Sequence, residues 1–112
     1  KEPYGKVWRT GANEATTFSV NKDVTINGTP LASGKYALFT IPNEKEWTVI
    51  LNKNPDQWGA YDYDSKDDVL KIKVNTTKSN NLQEQLMFRV DNDGKVTFAW
   101  EHVTFDFMVK AE

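Results

Sequence analysis

Hydrophobic and polar residues alternate with a period of two along most of the chain. In residues 70–74, the apolar side chains of Leu70, Ile72 and Val74 alternate with Lys71 and Lys73. This pattern is typical of a β-strand with one face on a core and the other in water. No stretch shows convincing helical spacing, so an all-β fold is predicted. Four further groups alternate in the same way: Trp47, Val49 and Leu51; Leu86, Phe88 and Val90; Val96, Phe98 and Trp100; Phe105, Phe107 and Val109.

Residues 36–41 break this alternation, because both parities are mostly apolar between Tyr36 and Ile41. A strand that is apolar on both sides is typical of the middle of a fold, where both faces of the sheet are covered. The pattern therefore predicts a central strand here.

Turn residues separate the predicted strands. Asn27-Gly28 and Asp93-Gly94 both accept the positive φ of tight hairpin turns, so two hairpins are predicted. Residues 75–83 are polar, rich in asparagine and without periodicity, which predicts a mobile loop. About eight strands at this spacing indicate a single-domain antiparallel β-sandwich that spans residues 1–112.

One irregularity lies near the end of the chain. Trp100 and Val103 have opposite parities, so the residues that face the core change phase between them. A bulge or bend is therefore predicted at Glu101-His102.

Composition limits the classes of function. With 112 residues and a mass of 12.8 kDa, the chain has the size of one domain with one core. The net charge of -2 provides no basic excess for an extended nucleic-acid surface, so nucleic acid is not an expected partner. The chain has no cysteine and no apolar run of the roughly 20 residues that span a bilayer, so no disulfide and no transmembrane segment are predicted.

Metal and catalytic motifs are weak. His102 is the single histidine, and a histidine at a strand bend is favoured over a metal ligand or a triad member. Residues 62–68 form an acidic segment that only partly matches a calcium-binding loop. Lys66 occupies a position where that loop has a ligand, and Asp67 occupies the position of its glycine, so a solvated loop is favoured over a cation site. No metal and no cofactor are predicted, and catalytic residues remain unknown.

Two stretches concentrate groups suited to binding. Arg9, Asn13 and Glu14 surround a glycine, and a guanidinium beside a carboxamide and a carboxylate forms either a recognition site or an internal brace. Trp58 and Tyr61 stand among acidic residues, where aromatic rings can stack on a sugar face. The alternative for these two rings is packing at the open end of the sandwich.

A family resemblance covers nearly the whole chain. Six blocks carry it: 4–18 (YGKVWRTGANEATTF), 24–28 (VTING), 34–42 (GKYALFTIP), 46–53 (EWTVILNK), 57–61 (QWGAY) and 99–101 (AWE). With these blocks in the same order, the chain resembles a bacterial domain-of-unknown-function family, numbered twenty-nine-eleven, that is common in Bacteroidetes.

The resemblance implies an exported all-β protein that is periplasmic or, as a lipoprotein, membrane-anchored. It brings no established activity, substrate or catalytic residue. Family members generally carry a signal sequence and a further extended segment before the first block, so the chain is expected to be truncated at its start. Loss of that segment leaves an unpaired strand edge that is available for homodimerisation.

Three functional hypotheses follow. The leading one is a non-catalytic binding or interaction domain of the cell envelope, in which Arg9, Asn13, Glu14, Trp58 and Tyr61 bind a small carboxylated or sugar-like ligand. The second is a small carbohydrate-active or other carboxylate-dependent hydrolase, with Glu14 or Asp62 as general acid or base. The third is a purely structural or partner-docking domain.

Overall fold

A computed structural model of the protein describes residues 8–9, 16–55 and 64–112, with side chains for all of these except 8, 9, 79–88, 100 and 101. Within these ranges the chain forms strands and one 3-10 turn at Ser65–Asp67. The nine strands are β1 (Trp8–Arg9), β2 (Thr17–Val20), β3 (Val24–Ile26), β4 (Thr29–Leu31), β5 (Gly34–Ile41), β6 (Glu46–Asn52), β7 (Asp68–Asn75), β8 (Thr77–Val90) and β9 (Lys95–Ala111).

The strands form two sheets. In the first sheet, β1 and β2 both pair with β5, which is followed by β6 and β7. In the second sheet the order is β4-β3-β9-β8. Every pairing is antiparallel. The predicted antiparallel β-sandwich is confirmed.

One hydrophobic core lies between the sheets. Val49 of β6 and Phe98 of β9 are 1% and 3% exposed, and Ile72 of β7 packs against the same core, as their alternation predicted. Lys71 and Lys73 are exposed on the other face of β7. The buried members of this core are Val24, Ile26, Leu31, Tyr36, Leu38, Trp47, Val49, Leu51, Leu70, Val74, Val96, Phe98, Phe105 and Phe107.

Strand β5 is buried on both faces, as predicted. Tyr36 and Leu38 belong to the core between the sheets. Ala37 and Phe39 point to the opposite side of the strand and form a second buried cluster with Ile50 of β6. The face of the first sheet that points away from the core therefore carries a buried apolar patch.

Both predicted hairpins are confirmed. Asn27 and Gly28 have φ of 48° and 86° and join β3 to β4 as a two-residue turn. Gly94, with φ of 93°, ends the turn between β8 and β9, in which its N–H donates to the Asp91 carbonyl (3.0 Å). The carbonyl of Gly94 also accepts a hydrogen bond from Val109 N–H (2.9 Å).

This last contact shows that β9 turns back on itself. Fifteen residues of straight strand would separate Gly94 from Val109 by about 50 Å. Four positions further inward from each, the rings of Phe98 and Phe105 stack with centroids 5.1 Å apart. Both contacts fit one antiparallel register, whose midpoint is Glu101-His102. The predicted bend is confirmed, and it is a complete reversal with His102 exposed at its tip.

The predicted loop at 75–83 is wrong, because β8 begins at Thr77. Lys78 pairs with Val103 and Met87 pairs with Ala99, so nine positions of β8 face only four positions of β9. β8 therefore takes a longer path around the outside of the reversal, and its register shifts there twice. These shifts remove the strict alternation that identifies a strand in sequence.

Val90 also differs from its predicted core position, since 61% of its surface is exposed. It is the last residue of β8, which ends the order of the second sheet. A residue at the end of an edge strand has fewer neighbours to cover it, so its partner Val96 on β9 is buried and Val90 is not.

Two edge strands carry features that oppose pairing with another chain. β7 presents Lys71 and Lys73, and its register with β6 shifts next to Asn52, which leaves Val69 as an extra residue. β4 has three residues, one of them Pro30. Charges, bulges, proline and short length all protect an edge. Homodimerisation through an exposed edge stays a prediction, and β4 and β7 are poorly suited to it.

Candidate functional site

The first candidate segment, residues 10–15, is held at both ends by strand β5. Before it, Trp8 and Arg9 pair with Thr40 and Phe39. After it, the Thr16 carbonyl accepts a hydrogen bond from Leu38 N–H (2.9 Å), and β2 pairs with β5 from Thr17 onward. The chain therefore contacts β5 at Phe39 just before residues 10–15 and at the neighbouring residue, Leu38, just after them.

The second candidate segment, residues 56–63, is tied down through Asn52. This side chain is fully buried, and its amide nitrogen donates to the Asp64 carbonyl and to Asp68 Oδ1, both at 3.0 Å. Its Oδ1 accepts from Asn54 N–H at 3.0 Å. In addition, Lys53 N–H donates to the Asp67 carbonyl (2.8 Å). The chain that enters the segment and the chain that leaves it are therefore fixed together.

The two segments leave the first sheet at the same level. Thr17 pairs with Ala37, Ala37 with Asn52, and Asn52 with Asp68, so these four residues form one row across four strands. Neighbouring strands lie about 4.8 Å apart, which separates β2 from β6 by about 10 Å. Thr17, where the chain comes back from the first segment, and Asn52, where it leaves toward the second, therefore lie in the same row.

The structure describes one of the five predicted site residues, Arg9, and of that residue only the backbone. Asn13, Glu14, Trp58 and Tyr61 lie outside the described residues. For Arg9 the structure describes the backbone, which pairs with Phe39 of β5. The predicted site therefore stays a prediction, and what the structure adds is the position of the strands that carry its segments.

Sequence reasoning missed Asn52 as a positioning residue. It follows the alternating run Trp47, Val49 and Leu51, and it lies in the family block 46–53. The available signal was a carboxamide at the end of a buried strand, directly before the polar residues 53–54 and Pro55. Buried carboxamides require hydrogen-bond partners, and here those partners are the ends of the second segment.

Nearby carboxylates have structural roles. Asp64 accepts from Lys66 N–H (3.0 Å) and begins the 3-10 turn, while Asp68 accepts from Asn52. Asp67 is 3.7 Å from Lys53 Nζ in an exposed ion pair. Among the side chains that the structure describes, no group of three His, Asp or Glu residues is arranged to hold a metal ion. In the described part of the predicted acidic loop, the aspartates therefore cap the 3-10 turn, accept a hydrogen bond from Asn52 or pair with Lys53.

The family model described as "Protein of unknown function (DUF2911)" matches residues 1–109. This match confirms the resemblance found in the sequence. Comparisons with curated proteins and with solved structures gave no match. Among the described residues, no helix has the length and apolar character needed to cross a membrane.

Proposed function

The chain belongs to the DUF2911 family of proteins of unknown function, and we propose that it is a non-catalytic binding domain of the bacterial cell envelope. Its ligand is a small carboxylated or sugar-like molecule. Arg9 supplies a planar pair of donors for a carboxylate, and Asn13 and Glu14 orient it. Trp58 and Tyr61 supply flat apolar faces for stacking.

One observation supports this proposal above the others, namely the row formed by Thr17, Ala37, Asn52 and Asp68. It brings the ends of both segments to one level of one sheet. Segments whose anchored ends lie about 10 Å apart on the same sheet are close enough for their side chains to contact one small molecule. Pre-organised loops on a rigid scaffold are a common basis for binding.

The three described acids that follow the second segment have structural partners. A general acid or base requires a carboxylate that is free to exchange a proton with substrate. Asp64, Asp67 and Asp68, which follow the second segment, instead accept hydrogen bonds or pair with a lysine. The hydrolase hypothesis keeps Glu14 or Asp62 as its general acid or base.

Thermal-shift screening tests the proposal. Glycans, peptidoglycan fragments and small carboxylates are added to the wild type and to Arg9→Gln and Trp58→Leu. At a ligand concentration 100-fold above Kd, linkage raises the free energy of unfolding by about 2.7 kcal/mol, which is a shift in Tm of several degrees. The matched control is Arg89→Gln, which removes the same charge from the other arginine of the chain, an exposed one.

The outcomes separate the hypotheses. A ligand shift that is lost in Arg9→Gln and Trp58→Leu but kept in Arg89→Gln supports the proposed site, provided that both variants melt near the wild type without ligand. Unfolding of Arg9→Gln in the absence of ligand indicates an internal brace and contradicts the site. The absence of a shift with every compound also contradicts it.

A further inference from the structure

The sheet edges differ in how well they are protected against pairing with another chain. β4 contains Pro30, and β7 has Lys71, Lys73 and a bulge. β8 shifts register with β9 twice, which also disrupts an edge. By contrast, β2 (Thr17–Val20) has no charge and no proline and keeps one register with β5 along its length. Of these four strands, β2 is therefore the least protected.

The side of β2 that faces away from β5 presents the backbone groups of two residues. Leu38 N–H donates to the Thr16 carbonyl (2.9 Å), which makes these two residues a hydrogen-bonded pair in the β2–β5 register. Such pairs alternate with non-bonded pairs along an antiparallel ladder, so Phe18 also bonds to β5, and Thr17 and Ser19 do not. The N–H and C=O groups of Thr17 and Ser19 therefore point outward, where no strand of the described chain pairs with them.

The side chains of β2 form one apolar face and one polar face. Phe18 and Val20 are half-buried and pack against the core, and the Phe18 ring meets Phe107 edge-on, with centroids 5.8 Å apart. Thr17 and Ser19 are exposed on the opposite face. A strand that pairs with β2 covers the remaining surface of Phe18 and Val20 when its own apolar side chains lie on the same face. The edge thus fits an extended segment in which apolar and polar residues alternate.

We infer that β2 pairs antiparallel with β2 of a second copy of the chain, with Phe18 opposite the partner's Phe18 on the twofold axis. In this register Thr17 lies opposite the partner's Ser19, and Ser19 lies opposite the partner's Thr17. Each of these pairs exchanges two hydrogen bonds, so every outward N–H and C=O group of the two residues gains a partner in both copies. The two Phe18 rings form a cross-strand aromatic pair, which adds to the stability of the contact.

A second copy is the favoured partner because β2 supplies what its own edge requires. The same strand carries the alternation, the outward backbone groups and the apolar face, so a twofold interface matches it to itself. It has no charged residue that would repel its equivalent across the pair. The paired strands are short, and small interfaces are weak, so we expect Kd of roughly 0.1–1 mM. The pairing uses none of the five residues proposed to bind the ligand, so either proposal can fail without the other.

Sedimentation equilibrium and NMR of the ¹⁵N-labelled protein, both from about 20 µM to about 1 mM, test the pairing. We expect a monomer at the low end and a substantial fraction of dimer at the high end. The amide signals of Thr17 and Ser19 should move most with concentration, since their N–H groups exchange water for a carbonyl acceptor. A monomer at every concentration would overturn the inference. A dimer whose concentration-dependent shifts lie at 29–31 or 69–75 would also overturn it, because another edge would then be the interface.

Ser19→Pro removes one outward N–H from each copy. Proline is tolerated on an edge strand where the N–H faces solvent, so the hydrogen bonds between β2 and β5 remain. Symmetry removes two hydrogen bonds per dimer, each worth about 1 kcal/mol, so Kd should rise roughly 30-fold. The matched control Ser19→Ala keeps the N–H and should change Kd by less than about twofold. Equal dimerisation of Ser19→Pro and the wild type contradicts the inference.

A pair of charge variants tests the register without altering the backbone. One carries Thr17→Lys with Ser19→Lys, and the other carries Thr17→Glu with Ser19→Glu, all on exposed positions. Each variant alone places like charges directly opposite each other and should stay monomeric, whereas an equimolar mixture places opposite charges there and should form a heterodimer. A dimer of either variant alone, or a mixture that stays monomeric, would overturn the inference.

Discussion

Replacing Asn52 with alanine removes the hydrogen bonds that hold both ends of the second segment. The side chain is fully buried and makes three such bonds at 3.0 Å, to the Asp64 carbonyl, to Asp68 Oδ1 and from Asn54 N–H. Two are neutral and worth about 1 kcal/mol each, and the one to a carboxylate is worth about 1.5–3 kcal/mol. We therefore expect Asn52→Ala to lower the free energy of unfolding by about 4 kcal/mol.

Urea denaturation followed by tryptophan fluorescence measures this loss. A decrease of about 4 kcal/mol is a large part of the 5–15 kcal/mol typical of a domain, and it lowers Tm by roughly 15 °C. The matched control is Asn75→Ala, since Asn75 is an exposed asparagine at the end of β7 in the same sheet. We expect that control to change the free energy of unfolding by no more than about 0.5 kcal/mol.

The reasoning is refuted if Asn52→Ala costs less than about 1 kcal/mol, because the bonds would then contribute no more than one ordinary hydrogen bond. A change in the denaturant m-value would not count as the predicted effect, since it reports a change in exposed surface. Equal losses in Asn52→Ala and Asn75→Ala would also refute it.

Two further predictions concern the strands that support the segments. Gly94 has a positive φ, and Gly94→Ala places a Cβ against the Val109 carbonyl oxygen, so thermal denaturation should show a loss of at least about 3 kcal/mol in the free energy of unfolding. Gly28 also has a positive φ but has open space around it, so Gly28→Ala should lower the free energy of unfolding by about 1–2 kcal/mol. Equal costs would contradict the reversal of β9. Ile50→Ala should cost about 2–5 kcal/mol because Ile50 is fully buried on the outward face of its sheet, while Val69→Ala, at 43% exposure, should cost under about 1 kcal/mol. A small effect at Ile50 in urea denaturation would show that this face is not covered.

Much of the fold could be predicted because side chains on a strand alternate between two faces. Leu70 and Val74 are buried next to the exposed Lys71 and Lys73 for this reason, and the apolar run in β5 marks a strand that is covered on both sides. The Asn27-Gly28 turn could be predicted because few residues accept positive φ at both positions.

The reversal of β9 was visible only as a change of parity. Glu101-His102 contains none of the residues that usually mark a tight turn, so the pattern alone could not distinguish a bulge from a complete turn. The first part of β8, which lies in the predicted loop 75–83, was missed for a related reason, because its path around that turn destroys the alternation. Long-range pairing fixes both strands, and local sequence carries little record of it.

The candidate site is predictable in its chemistry and not in its geometry. Arg9, Trp58 and Tyr61 stand out by residue type, but the row that relates their segments depends on which strands pair. Asn52 illustrates the same limit, since a carboxamide after a strand is common, and its burial among the segment ends follows from tertiary structure.

Intramolecular cross-linking tests most directly whether the two segments form one site. The chain has no cysteine, so Ala12→Cys with Ala60→Cys introduces a single pair, one in each segment. A bismaleimide that spans about 10 Å, the distance between alternate strands, should join them rapidly within one molecule. The control pairs Ala12→Cys with His102→Cys at the tip of β9 in the other sheet. Rapid closure of the first pair alone is the predicted result, and equal or slower closure relative to the control would contradict the proposed site.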